Sequence, residues 1–200
     1  MNSKAPDLVK ERPILFKGDM VNAILEERKT QTRRVVKSPV EIRSRGDLRF
    51  SEIDNDWQVY GAGGVYLSMS CPYGKLGDRL WVRETFADIG PRLTYRADTD
   101  DGAHCKVGRW TPSIYMPRWA SRITLEITDV RVERLNDISE KDVMAEGCEW
   151  IDEVPSLFSF GNEHTSRSPK NSFRSLWESI NGPGSWDENP WVWVVEFKKM

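Results

Sequence analysis

Cysteine and histidine are scarce in this chain: Cys71, Cys105 and Cys148, with His104 and His164, are all there is in 200 residues. An odd number of thiols with no Cys-x-x-Cys spacing excludes a disulfide framework and suits a reducing compartment. Without a His-Glu-x-x-His run or paired cysteines, nothing in the sequence builds a zinc site, and neither a metal nor a cofactor is expected. No apolar run approaches the roughly 18 residues of a membrane span, and residues 1–11 are too polar for a secretory signal. A cytoplasmic location with no membrane partner is the expectation. An excess of one charge is missing too: 29 Lys and Arg face 31 Asp and Glu, a formal net charge of -2. That excludes a generic polycation for coating nucleic acid.

What is present is a globular composition, 38% hydrophobic and 30% charged, in a length suited to one domain with a real core. The charge is unevenly spread. Between Arg28 and Arg49 eight basic residues outnumber Glu41 and Asp47, whereas eleven acids between Glu126 and Glu163 face only Arg131, Arg134 and Lys141. A basic stripe on an acidic protein fits a small anionic ligand or a few phosphates, although a solvated charged face gives the same pattern. The nine tryptophans serve either a core or base stacking.

Residues 1–12 read as a tail and 13–200 as one domain. Pro13 to Phe16 is a short strand, followed by a helix opening at Gly18-Asp19, with Asp19 as N-cap and Val21, Ile24 and Leu25 at helical spacing. The β-branched, alternating run from Lys29 to Val36 is strand-like. Residues 37–66 read as an irregular hairpin insertion, and Gly77-Asp78 turns into the strand Arg79 to Arg83. From Ser121 a long strand carries Ile123, Leu125 and Ile127, then slips phase to Val130 and Val132, which predicts a bulge of the kind small barrels use. Ser139-x-x-Asp142 predicts a capping box with Gly147 as C′ glycine. Ser168-Pro169 opens a further helix that Asn181-Gly182-Pro183 stops. Trp191 to Phe197, apolar on both faces, is a central or barrel-lining strand. The fold class is α+β: a small twisted β-barrel with a few short helices packed on it.

Arg28-Lys29-Thr30-Gln31-Thr32-Arg33-Arg34 is the densest polar constellation. A lysine whose pKa is depressed by burial or by neighbouring arginines takes a threonine proton and makes a nucleophile. A basic helix end leading into a threonine-rich strand is the plainer reading. Glu146 sits at a helix end where the dipole disfavours a carboxylate, so it requires a cationic partner, a function, or simple exposure to solvent. Trp119 stacks on a base while Arg118 holds a phosphate, or else Trp119 caps the core. Glu84 and Thr85, at the end of the Trp81 strand, face a pocket or are strand-end polar residues.

The run Ile24 to Arg34 resembles the signature of ASCH domains, a branch of the PUA-like superfamily. The Gly77-Asp78-x-x-x-Val82 turn, the Ser139-Glu140-Lys141 to Glu146-Gly147 helix and the closing Val195-Glu196-Phe197-Lys198 are similar to the same family. Met116 to Arg122 and Asn189 to Trp193 resemble the longer ASCH proteins of phages and prophages, which makes a bacterial host cell the expected setting. Residues 13–36, 74–86, 118–147 and 171–199 carry the likeness; about 37–73, 87–117 and 148–170 read as insertions. The resemblance implies a PUA-like barrel and an N4-acetylcytidine amidohydrolase site. By position, Thr32 is the nucleophile, Lys29 its base and Glu146 the residue that orients the lysine or relays a proton. Arg34 or a backbone amide near Gln31 is the implied oxyanion donor, and Arg28, Arg33, Arg34, Glu84, Arg118 and Trp119 are the substrate-binding set. The alternatives are a non-catalytic reader of RNA or a modified base and, with less support, a ribonuclease. The expected partner is a nucleoside or short RNA; the sequence leaves the oligomeric state open.

Overall fold

The computed structural model describes residues 8–38, 42–51, 56–61, 64–150, 158–160 and 164–200. In chain order its elements are β1 (Glu11–Leu15), α1 (Gly18–Leu25), β2 (Gln31–Val35), β3 (Leu48–Ser51), β4 (Asp56–Gly61), β5 (Gly64–Met69), β6 (Arg79–Arg83), β7 (Phe86–Asp88) and β8 (Leu93–Tyr95). They continue with β9 (Thr124–Arg134), α2 (Glu140–Ala145), β10 (Glu149–Trp150), β11 (Phe158–Phe160), β12 (His164–Ser166), α3 (Pro169–Asn181) and β13 (Trp191–Lys199). The α+β class holds. Among the described residues no helix is long and apolar enough to cross a membrane.

The architectural centre is β13. Its side chains alternate between two buried clusters, as a period of two requires. Trp191, Trp193, Val195 and Phe197 join a core with Val21 and Ile24 of α1, while Val192 and Val194 join a second core with Phe173, Leu176 and Trp177 of α3. Each fully buried apolar side chain of this size contributes about 1.5–3 kcal/mol. The main sheet has the order β1-β6-β9-β13-β2; β1 pairs with β6 in parallel and the other neighbours are antiparallel. The phase slip of the long strand is a bulge: Ile127 faces Phe197 and Asp129 faces Glu196, leaving Thr128 without an opposite residue.

Several expectations need correction. The described sheet is open, because its margins β1 and β2 share no ladder. Strand β1 begins at Glu11, inside the expected tail. The N-cap of α1 is Lys17, and Asp19 stands in the first turn, where a carboxylate favours the helix dipole. The stretch read as an irregular hairpin over 37–66 holds, among its described residues, more than one hairpin: β3, β4 and β5 form an antiparallel sheet whose Leu48, Val59 and Met69 enter the first core. The caps of the later helices agree with their sequence signals. Ser139 and Asp142 complete a capping box on α2, and Ser168 caps α3 with Pro169 in its first turn.

Candidate active site

The site forms where β1 and β2 fail to meet. After α1 the chain turns sharply, with Glu27 in the left-handed region at φ 62°. Two backbone bonds then fix the entry to β2: the Lys29 amide donates to the Ala23 carbonyl at 2.9 Å and the Thr30 amide to the Ala145 carbonyl at 2.8 Å. Lys29 is thereby laid against Glu146, the residue that caps the C-terminus of α2. Gly147 makes the approach feasible. At its φ of +101° an L side chain is strained, and a Cβ would meet Ala23 Cβ at 3.0 Å and Lys29 Cβ at 3.2 Å.

Lys29 is 2% exposed. Its Nζ donates to Glu146 Oε2 at 2.7 Å and to the Glu146 carbonyl at 2.8 Å. The other carboxylate oxygen, Oε1, accepts from Arg33 at 3.1 Å. Glu146 therefore sits between two buried cations, which offsets the unfavourable end of the α2 dipole. Burial pulls the Lys29 pKa below its ordinary range; Glu146 opposes the shift, and the nearby Arg34 and Arg33 charges add to it.

Strand alternation divides the labour on β2. Thr32 and Arg34 lie opposite Val195 and Trp193, on the face of the first core. Arg33 lies opposite Val194, on the other face, with its guanidinium fully buried and Glu133 and Asp142 at 3.4 and 3.6 Å. Arg33 was expected to contact substrate; it borders the cavity between β1 and β2, with its guanidinium engaged by carboxylates so that it positions Glu146. Arg34 does face the opening. Its NH2 donates to the Leu15 carbonyl at 2.7 Å, bridging the two sheet margins, and its guanidinium carbon lies 5.4 Å from the Phe16 ring centre.

Between these margins lies a cavity of about 700 Å³, with Phe16, Thr32, Arg34, Tyr73, Glu84 and Glu146 in its walls. That volume is in the range for small-molecule sites. Among the described residues the Thr32 hydroxyl has no hydrogen-bond partner, and both bonds of the Lys29 ammonium go to Glu146 rather than to Thr32. The site thus puts the Thr32 hydroxyl and Glu146, the carboxylate of the buried amine–carboxylate pair, in the wall of one cavity, while the Lys29 side chain lies behind Glu146 and is not among the lining residues.

The remaining expected residues divide. Glu84 is 2% exposed and is gripped by Arg122 through bonds of 2.9 and 3.0 Å. Arg28 is outside the cavity wall, donating to the Gly147 carbonyl at 3.0 Å and to Glu26, so it braces the turn that presents Lys29. Arg118 and Trp119 are also away from the cavity: Arg118 pairs with Glu11 at 3.0 Å, and Trp119 is 69% exposed, so it does not cap the core. The basic run from Arg28 to Arg49 does not make a stripe, since Arg33 is interior, Arg45 donates to the Val132 carbonyl and Arg49 stacks on Tyr60. Sequence reasoning missed Phe16, Tyr73 and Arg122. Phe173, Leu176, Trp177 and Ile180 of α3 also line the cavity. Searches against protein-family models, curated proteins and solved structures returned no match.

Proposed function

We propose that this protein is an amidohydrolase acting on an acylated cytidine-type nucleoside, with Lys29, Thr32 and Glu146 as its chemical groups. The observation that carries the reading is the buried Lys29–Glu146 pair, whose Glu146 shares a cavity wall with Thr32. In the first step Thr32 Oγ attacks the amide carbonyl carbon while its proton passes to the neutral Lys29 amine. Arg34, at the cavity wall, is the side chain placed to meet the developing oxyanion. The carbon–nitrogen bond then breaks, and the proton held by Lys29 goes to the departing exocyclic nitrogen, leaving an acyl ester on Thr32 that water hydrolyses. A lysine can act this way only if its amine is neutral at working pH. Burial and the two arginines favour that state, and Arg33 shares the Glu146 charge that would otherwise hold Lys29 as ammonium.

The PUA-like barrel implied by the sequence belongs to the same proposal. It is supported by margins β1 and β2 lying close enough for Arg34 to span them. The test is incubation with N4-acetylcytidine and detection of cytidine. Turnover that falls by about hundredfold or more in Thr32→Ala supports the reading; no turnover, or undiminished turnover in that variant, removes it. Exposed Tyr115 and Trp119 beside Arg118 favour a second reading, a non-catalytic RNA or modified-base reader, which predicts salt-dependent oligonucleotide binding. Flat binding curves at low salt exclude it.

A further inference from the structure

Glu84 is a buried carboxylate in the wall of the reactive cavity that the chemistry above does not use. It follows β6, next to margin β1, whereas Thr32 belongs to the opposite margin β2, so the two residues enter the cavity from different sides of the sheet. Its surroundings are rigid. Arg122 Nε and NH2 each bond one Glu84 oxygen, Arg122 is also paired with Asp98 at 2.7 Å, and its guanidinium carbon lies 3.9 Å from the Tyr95 ring centre. The Tyr95 hydroxyl donates to the Ala120 carbonyl at 2.9 Å, and the Glu84 amide donates to Met116 Sδ at 3.4 Å. The carboxylate is therefore aimed before any ligand arrives.

A carboxylate is an acceptor with about four lone-pair sites, of which Arg122 occupies one on each oxygen. What remains is a pair of acceptor sites that attracts hydroxyl or N–H donors and repels phosphate. A buried ion pair is by itself a poor source of stability, so its place in a cavity wall points to recognition. Resting on the amidohydrolase reading, which sets the acylated base at Thr32, we propose that Glu84 accepts hydrogen bonds from the sugar hydroxyls and makes the enzyme specific for a ribonucleoside over the free base. The same acidic-residue-to-ribose pairing recurs in dinucleotide-binding proteins.

The experiment compares N4-acetylcytidine, N4-acetyl-2′-deoxycytidine and N4-acetylcytosine as substrates of the wild type and of Glu84→Gln. In the wild type KM is expected to rise by about tenfold or more for each hydroxyl bond lost, as for hydrogen bonds to a charged acceptor. In Glu84→Gln the three KM values converge. Equal KM values in the wild type overturn the proposal, as does a variant that weakens all three substrates alike, the mark of a structural role. The wild-type series stands even if the variant fails to fold. If none of the compounds is turned over, the amidohydrolase reading fails alone, and the thermal shift given by cytidine and by cytosine still decides the role of Glu84. A larger shift with cytidine that Glu84→Gln abolishes upholds it; equal shifts, or none, overturn it.

Discussion

Replacing Arg33 with methionine removes the guanidinium that holds one side of Glu146 while nearly preserving side-chain bulk. The three carboxylates it touches do not suffer equally. Glu133 and Asp142 are about one-fifth exposed, at 19% and 23%, and keep Arg131 at 2.7 and 3.2 Å, so solvent and a second cation absorb the change. Glu146, at 4% exposure, keeps only Lys29 among the described residues. Removing one partner from a buried pair costs about 3–5 kcal/mol. The lower end applies here, because Arg33 Nε is already buried without a partner and the wild type carries that penalty. Urea unfolding at pH 7 should therefore report a loss of about 3 kcal/mol, and thermal unfolding a fall in Tm of roughly 6–12 °C for a chain of this size. Adding Glu146→Gln to Arg33→Met should cost less than the sum of the single losses by more than about 1 kcal/mol, because both remove the same contact. A single-variant loss below about 1 kcal/mol, or strict additivity, would refute Arg33 as the support of Glu146.

Thr32→Val keeps the shape and deletes a hydroxyl that has no partner among the described residues, so unfolding should move by less than about 1 kcal/mol while amide turnover is lost. Gly147→Ala should destabilise by about 1–3 kcal/mol through its positive φ and its contacts with Ala23 and Lys29; turnover should fall with it because Lys29 is displaced. Lys29 has its pKa lowered from 10.5 in the folded state, so between the lowered value and 10.5 the unfolded chain binds the extra proton and folded stability rises with pH. The burial penalty is fully felt below that window and gone above it. Urea unfolding across alkaline pH should show the wild type gaining on Lys29→Met towards pH 10.5; parallel curves would mean that Lys29 is not shifted. By the same sign, the acid limb of kcat/KM should move to lower pH in Glu146→Gln, which removes the charge favouring the ammonium, and to higher pH in Arg33→Met.

Local signals whose governing physics spans a turn or less transferred to the structure at α2, α3 and the long strand. Ser139 with Asp142, and Ser168 with Pro169, specify helix starts through bonds closed within three residues. The phase slip after Ile127 specifies a bulge because side-chain period is a property of one strand. Asp19 misled because an acid two positions past the N-cap, within the first turn, is favoured by the dipole as well. The alternation of Thr32 and Arg34 against Arg33 was also legible in β2, but its consequence was not, since only the partner strand reveals which face meets a core and which meets carboxylates.

By itself the sequence determined the α+β class, the caps of α2 and α3, the doubly apolar final strand and the residue types from which a site is made. Only the tertiary structure decided that Lys29 and Glu146, 117 positions apart, share a hydrogen bond, that Arg33 is engaged by carboxylates, that Arg118 and Trp119 stand clear of the cavity, and that Leu48, Val59 and Met69 join the core. The physical reason is the range of the forces. Caps, turns and periodicity act between neighbours in the chain, whereas burial, ion pairing and the shape of a cavity depend on which distant surfaces the fold presses together.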